Sequence, residues 1–402
     1  MIKPLAGVRV LDLSRVLAGP WATQLLADLG ADVIKVEKPG AGDDTRHWGP
    51  PWHEHGDEKV AAYFLAANRG KRSVAIDFAT EDGAALVRRM AADADVLVEN
   101  FKVGALRKFG LDAESLRAAH PRLIYASITG FGQDGPYASR AGYDYIIQGM
   151  GGLMSLTGVP DGEPGGGPMK VGVAVADLFS GMYTASAILA ALYGRERSGE
   201  GATIDLALFD TQLAMLANQA SNMLVGGKDP RRLGAGHPNI VPYQPFQAAD
   251  QPIIIAVGND RQFAKLAEIL GHSKWSSDPT FTTNAARVAA RETLVPMISD
   301  IIASKPAAEW LDQLESAGIP AGPINTVSQA LIDPQAIYRG ARVNRGGGAL
   351  GEVPMIGSPF RIDGERNDAR LPPPALGEHG NLLSEWLDEA ELERLKAAGV
   401  VA

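Results

Sequence analysis

One carboxylate is set apart by the residues around it in the sequence. Asp177 has apolar neighbours on both sides, residues 173–176 and 178–179, near the start of an apolar helix predicted over residues 176–193. The glycine- and proline-rich residues 153–170 predict a mobile loop that could cover a reactive group and exclude water. A carboxylate in such a place can attack a thioester and divide one difficult transfer into two easier steps.

The same residue has an ordinary alternative. Asp is a preferred N-cap of helices, and this segment taken alone favours that interpretation. We expect backbone N–H groups at the helix start to keep the Asp177 carboxylate ionised, and partial desolvation to make it a better nucleophile. Both roles therefore stay open at this point.

Several other chemistries lack their motifs. The chain has no cysteine, which excludes a thiol nucleophile, disulfides and thiolate metal sites. The turn after Leu13 lacks G-x-G-x-x-G, and neither G-x-x-x-x-G-K-[ST] nor G-x-S-x-G occurs. The seven histidines show no H-E-x-x-H spacing. We therefore expect no permanently bound cofactor and no metal, which leaves carboxylate chemistry.

The elements that must position Asp177 follow a βαβ rhythm. Short β-branched runs alternate with amphipathic stretches, and they predict a Rossmann-like, doubly wound α/β fold with a parallel sheet. The predicted strands are residues 8–13, 32–37, 73–78, 96–99, 123–129 and 202–207, and the helices between them include residues 21–29 and 82–92. A second long helix is predicted over residues 210–224.

The chain length predicts more than one folding unit. We expect residues 1–200 to form the first part of a large domain and residues 201–225 to connect it onward. Residues 226–330 would form a smaller α+β domain, and residues 331–402 a C-terminal segment that returns to the large domain.

Composition restricts the partners. The chain carries 38 Lys and Arg against 47 Asp and Glu, a net charge of −9, so no basic field is available for nucleic acid. The longest helical apolar stretch, residues 185–193, is about half of the ~20 residues that cross a bilayer. With no apolar leader visible at the N-terminus, we expect a cytoplasmic protein without a membrane partner.

Six strings in order resemble one family over essentially the whole chain. They are LDLSRVLAGP at residues 11–20, VIKVEKPGAGD at 33–43, NRGKRSVAID at 68–77, VENF at 98–101, GYD at 142–144, and Asp177. The chain is similar to family III (CaiB/BaiF type) CoA-transferases. The resemblance implies that Asp177 is the catalytic nucleophile, forming aspartyl anhydrides and an aspartyl-CoA thioester, and that the protein is an interlocked homodimer.

The resemblance also implies the residues that contact CoA, an acyl-CoA being substrate rather than cofactor. They are Val16, Leu17, Lys38, Ile76, Asp77, Phe78, Asn100, Phe101, Lys108 and Tyr143. Lys38 and Lys108 could neutralise phosphates, and residues 76–78 could contact adenine at a strand end. KVG at residues 102–104 departs from the family's usual Arg-Pro-Gly, and Lys38 gives a point charge without a bidentate fork.

Three further strings resemble the branch that moves CoA from succinyl-CoA to glutarate and related dicarboxylates. They are GAGDDTRHWGPP at residues 40–51, GHPNIVPYQ at 236–244 and LPPPALGEH at 371–379. Arg46 is our candidate for the distal carboxylate of the acid, since guanidinium pairs bidentately with carboxylate; a salt bridge at the rim of the site is the alternative role for it. His237 could line the acceptor pocket or only bond to loop backbone.

Two alternatives share the fold. An α-methylacyl-CoA racemase needs a general base, and tyrosine at position 143, with an ordinary pKa near ~10, is a poor one. A catalytically silent acyl-CoA binding protein would not need Asp177 beside a glycine-rich loop.

Overall fold

The structure is a computed structural model that describes residues 3–402. Its strands are β1 (Arg9–Asp12), β2 (Asp32–Glu37), β3 (Trp52–His55), β4 (Glu58–Ala61), β5 (Lys71–Ala75), β6 (Val96–Glu99), β7 (Ile124–Thr129), β8 (Thr203–Ala207), β9 (Tyr243–Gln247), β10 (Pro252–Ala256), β11 (Ala321–Pro323), β12 (Arg342–Gly348), β13 (Gly351–Ile356), β14 (Arg361–Ile362) and β15 (Glu365–Arg366).

The α-helices lie between and around these strands. They are α1 (Ala18–Asp28), α2 (Ala62–Ala66), α3 (Glu81–Ala92), α4 (Ala113–Ala119), α5 (Asp144–Met150), α6 (Leu153–Leu156), α7 (Val175–Ser198), α8 (Leu208–Met215), α9 (Ala217–Gly226), α10 (Asp260–Ile269), α11 (Asn284–Ala289), α12 (Arg291–Ile302), α13 (Ala307–Ser316), α14 (Val327–Leu331), α15 (Pro334–Tyr338) and α16 (Glu389–Ala397).

The described chain folds into two compact units. The first comprises the described residues up to Gly152, Val171–Leu216 and Pro334–Ala402, and the second comprises Leu153–Lys170 and Ala217–Asp333. The second unit has an antiparallel sheet in the order β11-β10-β9, and helices α10, α12 and α13 pack their apolar side chains against it.

A six-stranded parallel sheet forms the centre of the first unit, in the order β5-β2-β1-β6-β7-β8. Counted along the chain, this is the order 3-2-1-4-5-6 of a doubly wound sheet, and the predicted α/β fold with a parallel sheet is confirmed. The order reverses between β1 and β6, where Leu11 pairs with Leu97. Open α/β sheets bind ligands at the carboxyl ends of the two strands that flank such a reversal.

Alternation of apolar side chains places helices on both faces of this sheet. Leu11 and Leu97 face a core shared with α3 and the C-terminal residues around Leu395. Val10 and Val98 face the opposite core, which includes residues of α1 and α7. Near-continuous apolar strands are typical of a sheet covered on both sides, and they explain why its strands could be recognised in the sequence.

Helix α7 is long and apolar enough to cross a membrane by length and composition alone, with 33% of its apolar window buried. The sequence had suggested a shorter apolar stretch. In this fold the helix contributes Ala176, Ile188 and Leu192 to the core on one face of the sheet. Packing against a sheet is the ordinary reason for an apolar face on a long helix of a globular protein.

Two predicted elements differ from the structure. The single helix predicted over residues 210–224 is two helices, α8 and α9, because Ala217 takes a φ of 45° that no α-helix accommodates. Residues 153–170, predicted as a structureless loop, begin with the short helix α6 and belong to the second unit.

Buried charges lie beneath the carboxyl ends of β1 and β2. Lys71 Nζ donates to Asp12 Oδ2 at 3.0 Å, and Lys35 Nζ donates to Asp43 Oδ2 at 3.0 Å, with all four side chains inaccessible to solvent. Burial alone would raise the pKa of Asp12, but Lys71 and Lys35 hold that pKa at about 2. A buried charge is tolerated only when it is paired and hydrogen-bonded, so these side chains depend on one another.

We expect Lys71→Ala to destabilise the protein by about 3–5 kcal/mol, because it leaves the Asp12 charge buried without its partner. Lys59→Ala is the matched control, since Lys59 pairs with Glu54 at 2.7 Å on the exposed hairpin of β3 and β4, and its loss should cost about 0–1 kcal/mol. Urea unfolding of both variants measures the difference. Equal effects would show that the buried pair does not stabilise the fold.

Candidate active site

A cavity of about 170 Å³ opens where the sheet order reverses. Its wall comes from the loops after β1, β6 and β7 and from the start of α7, all in the first unit. Six residues predicted from the sequence line it, namely Val16, Leu17, Asn100, Phe101, Tyr143 and Asp177. The fold therefore brings the proposed nucleophile and half of the predicted contacts together.

Side chains hold the backbone of the loop after β1. Ser14 donates from its N–H (2.9 Å) and its Oγ (2.5 Å) to Asp12 Oδ1, and Lys35 Nζ donates to the Ser14 carbonyl at 2.8 Å. Asn100, at the end of β6, accepts from the Arg15 N–H at 2.8 Å and donates to the Arg15 carbonyl at 2.6 Å. The loops on the two sides of the reversal are thus joined directly.

Val16 is the strained position of this loop. Its φ is 71°, in the left-handed region that β-branched residues rarely occupy. Both carboxylate oxygens of Asp43 accept from its N–H, each at 3.2 Å, and Lys35 neutralises that carboxylate. The Lys35–Asp43 pair therefore fixes the backbone of Val16 in the cavity wall.

Asp177 does not cap its helix. Helix α7 starts at Val175, and Asp144 at the start of α5 accepts from the N–H groups of Ala176 (2.8 Å) and Asp177 (3.4 Å) through Oδ1. Gln148 donates to the other oxygen of Asp144 at 2.7 Å. A carboxylate from a neighbouring helix thus takes the capping position, so the N-cap interpretation of Asp177 is wrong.

The carboxylate of Asp177 is partly buried, and no hydrogen-bond donor to it is found among residues 3–402. Burial, and after it the like charge of Asp144, raise the pKa of Asp177 to about 7. The expectation that backbone N–H groups would keep it ionised is wrong, because Asp144 accepts from them. A desolvated carboxylate that is about half ionised at neutral pH is poised as a nucleophile.

The other predicted CoA contacts lie outside the cavity wall. Phe78 packs edge-to-face on Phe101 with ring centroids 5.7 Å apart, which connects the end of β5 to the cavity. Ile76 is fully buried beside it, and the carboxylate of Asp77 accepts from the Ala79 N–H at 3.0 Å. Their suggested contact with adenine stays a prediction.

Two predicted phosphate contacts and one acceptor contact also lie away from the cavity. Lys38 is exposed at the turn after β2, and Lys108 is exposed with its Nζ 4.6 Å from the Phe109 ring centroid. His237 belongs to the second unit, where its Nδ1 accepts from the Asn239 N–H at 3.1 Å. Their contacts with substrate stay predictions.

The structure contradicts the role predicted for Arg46. Its guanidinium is buried and donates to both oxygens of Glu37, at 2.9 and 2.7 Å, and to the Pro374 carbonyl at 3.1 Å. Because these acceptors engage the N–H groups on both edges of the planar guanidinium, Arg46 is not free to bind a substrate carboxylate. Sequence reasoning missed this partnership because the ion pair joins β2 to a later turn.

Sequence reasoning also missed three acids that position the site. Asp43 and Asp144 stand inside strings that resemble the family, yet only the structure shows their contacts with the Val16 and Ala176 N–H groups. Glu99 accepts from the Phe101 N–H at 2.7 Å, and burial raises the pKa of Glu99 to about 7. Within residues 3–402, no three His, Asp or Glu side chains group as metal ligands would.

Residues 5–380 match the family described as CoA-transferase family III. The chain belongs to this family, so it is an enzyme of CoA transfer, as the resemblance predicted.

Similar proteins agree with this assignment. The chain is 52% identical over 378 residues to a succinate–glutarate CoA-transferase of Agrobacterium fabrum, covering 94% of each. It is 41% identical over 381 residues to an acetyl-CoA:oxalate CoA-transferase of Acetobacter aceti, covering 94% of this chain and 95% of that one. A crystal structure of a CAIB/BAIF family protein from Brucella suis superposes with a TM-score of 0.84 at 51% identity, covering 96% of this chain and all of the other.

The pKa of Asp177 predicts the pH dependence of the reaction. If Asp177 is the nucleophile, only its ionised carboxylate can attack, so kcat/KM for the acyl-CoA should rise with pH through an inflection near 7 and then level off. Asp144→Asn keeps an oxygen acceptor for the Ala176 N–H but removes the like charge, so the inflection should move down by roughly half to one unit. Asp57→Asn, in the exposed turn between β3 and β4, is the control. An inflection that stays in place in Asp144→Asn contradicts this assignment.

The strain at Val16 predicts a specific coupling with Asp43. Asp43→Asn weakens the hold on the Val16 N–H, and we expect kcat/KM to fall about 10- to 100-fold. Glycine adopts a φ of 71° without strain, so in a Val16→Gly background the same Asp43→Asn change should cost about threefold less than with Val16. The remaining loss comes from Lys35, which is left without its buried partner in both backgrounds. Steady-state kinetics of the four proteins, checked for folding by circular dichroism, measure this. Equal losses in both backgrounds would contradict the proposed role of Asp43 in holding the Val16 N–H.

Proposed function

We propose that this enzyme transfers CoA from succinyl-CoA to glutarate and that Asp177 is its nucleophile. The observation that carries the proposal is a carboxylate with a pKa of about 7, without a hydrogen-bond donor among residues 3–402, in the wall of the cavity where the sheet order reverses. A structural aspartate would be paired or would cap its helix, and Asp177 does neither.

The identity of the acids follows from the similar proteins. The relative at 52% identity acts, by its name, on succinate and glutarate, and the one at 41% identity uses oxalate. Both acceptors are dicarboxylic acids. This supports an acid with a second, unreacting carboxylate as the acceptor in this enzyme.

The first half of the reaction loads CoA onto the enzyme. A carboxylate oxygen of Asp177 attacks the thioester carbonyl carbon of succinyl-CoA, and the carbon–sulfur bond breaks. CoA departs as its thiolate, and an aspartyl–succinyl anhydride is formed. The thiolate then attacks the aspartyl carbonyl carbon. This step releases succinate and leaves an aspartyl-CoA thioester.

The second half unloads CoA onto the acceptor. A glutarate carboxylate attacks the aspartyl-CoA carbonyl carbon and displaces CoA thiolate, which gives a second anhydride. The thiolate attacks the glutaryl carbonyl carbon, so glutaryl-CoA forms and the Asp177 carboxylate is regenerated. No water enters either half, which is why a covered, partly desolvated site suits this chemistry.

The cavity wall suggests how CoA is held. The fixed backbone of Val16 and Leu17 and the side chains of Asn100 and Phe101 are suited to the part of CoA next to the thioester. Lys38 and Lys108, both exposed, are available to CoA phosphates. The half-buried Asp77 and Phe78 are available to its adenine, whereas the side chain of Ile76 is fully buried. Tyr143 lies in the wall close to Asp177 in this arrangement and would contact the acyl group.

The proposal includes an interlocked homodimer in the cytoplasm. Large apolar side chains are exposed on α7 (Phe179, Met182 and Tyr183) and on α9 (Leu224 and Val225), which supports burial against another chain. Sedimentation as a stable monomer at micromolar concentration would contradict the dimer. A chain without cysteine has no need of an oxidising compartment.

The exchange itself is the direct test of function. Incubated with succinyl-CoA and glutarate, the enzyme should produce glutaryl-CoA and succinate in equal amounts, with the parallel-line kinetics of a ping-pong mechanism. Asp177→Asn should lower kcat by about 10³-fold or more while still binding CoA, whereas Asp57→Asn should not change it. Full activity in Asp177→Asn, or no exchange by the wild-type enzyme, contradicts the proposal.

A further inference from the structure

Both acids of the proposed reaction carry a second carboxylate that does not react. The free end of the succinyl group and the distal end of glutarate each bring a negative charge to a cavity that already holds Asp177. A charge moved out of water needs a compensating cation. This argument rests on the proposed function, and Arg46 cannot supply the cation because Glu37 engages it.

Three cationic side chains line the cavity, and they differ in their acidic partners and in the loops that carry them. Arg15 is paired with Asp44 at 3.3 Å and lies over the Phe101 ring at 5.1 Å. Lys102 directly follows Phe101. Both therefore lie at the loops after β1 and β6, beside the residues suited to CoA. Arg140 belongs instead to the segment after β7.

The guanidinium of Arg140 is held in place without being neutralised. It lies over the rings of Tyr137 at 4.5 Å and Phe131 at 5.4 Å from the centroids. Stacking uses the face of the guanidinium and leaves its N–H edges available. Among residues 3–402, no Asp or Glu lies within ion-pair distance of it, and its one recorded side-chain hydrogen bond is a long contact of 3.9 Å to Met150 Sδ.

The segment that carries Arg140 is anchored to the nucleophile. Gly142 packs so closely on Gly130, at the end of β7, that a Cβ on Gly130 would lie 2.5 Å from the Gly142 Cα. Two residues later, Asp144 accepts from the Ala176 N–H at the start of α7. The backbone from Gly142 to Asp144 is therefore fixed at both ends, and Arg140 lies two residues before it in the same cavity wall as Asp177.

We propose that Arg140 binds the unreacting carboxylate of the acid and so selects dicarboxylates over monocarboxylates. A guanidinium can form two parallel hydrogen bonds with a carboxylate, which gives both charge compensation and orientation. The same contact would serve the succinyl group in the first half of the reaction and glutarate in the second, because one cavity accepts both.

The test compares acceptors of equal chain length. Arg140→Gln should lower kcat/KM for glutarate about 10- to 100-fold, mainly through KM, and change it less than about threefold for pentanoate, which lacks the second carboxylate. Arg140→Lys should restore part of the loss for glutarate, since it returns a point charge without the fork. Arg197→Gln is the matched control, because Arg197 stacks on Tyr193 at 4.4 Å and does not line the cavity.

A second measurement covers the donor. Hydroxylamine trapping on Asp177 with succinyl-CoA and with butyryl-CoA compares the same two end groups in the first half-reaction, and Arg140→Gln should slow only the former. Equal losses with both donors and both acceptors would assign Arg140 to CoA or to folding and overturn the inference. A wild-type enzyme that does not use glutarate at all would instead contradict the proposed function, and this inference with it.

Discussion

The two buried ion pairs that join β1, β2 and β5 are the interaction on which the site depends. Asp12–Lys71 and Lys35–Asp43 place four charges where water does not reach. Each side chain is expensive to bury alone, so the set forms only when all its members are in place. Once formed, it also fixes backbone, because Lys35 holds the Ser14 carbonyl and Asp43 holds the Val16 N–H. The catalytic cavity is thus built on a charged rather than an apolar foundation.

Asp144 and Asp177 perform two tasks that a single aspartate could not perform: one caps helix α7, and the other keeps a carboxylate available in the cavity. Asp144 satisfies the N–H groups at the start of α7, and this frees the Asp177 carboxylate from capping. Asp144 also adds a like charge that, after burial, contributes to the raised pKa of Asp177. A carboxylate stabilised by several donors would be a weak nucleophile. No such donor to Asp177 lies among residues 3–402, so the reactivity proposed for it would have the same physical origin as its pKa.

The sequence was sufficient to predict the parallel sheet and to single out Asp177 as a candidate. Strands buried on both faces read as apolar runs, and their alternation with helices restricts the topology to a doubly wound sheet. A lone carboxylate among apolar residues can also be recognised from the sequence alone. Contacts between segments that are distant in the chain cannot be recognised in this way. Nothing in the sequence shows that Arg46 is engaged by Glu37, that Asp144 caps α7, or that Ala217 breaks a helix.

Two of the predictions that failed have a common cause. Each assigned a role to a residue from its type, a cap for Asp177 and a carboxylate receptor for Arg46, whereas the role depends on which groups lie within reach in the folded chain. Arg140 shows the converse. Its sequence context does not mark it. It is marked only by its place in the cavity wall and by the lack of an acidic partner among residues 3–402.

The proposed mechanism depends on covalent activation of the Asp177 carboxylate by the acyl-CoA. Mass spectrometry of the peptide containing Asp177, after incubation with succinyl-CoA and hydroxylamine, detects this step, because hydroxylamine converts an activated carboxyl group into a hydroxamate. We expect a hydroxamate on Asp177 that forms only when the acyl-CoA is present. An unmodified Asp177 in enzyme that is active and binds CoA, or a hydroxamate on another acid, would contradict it.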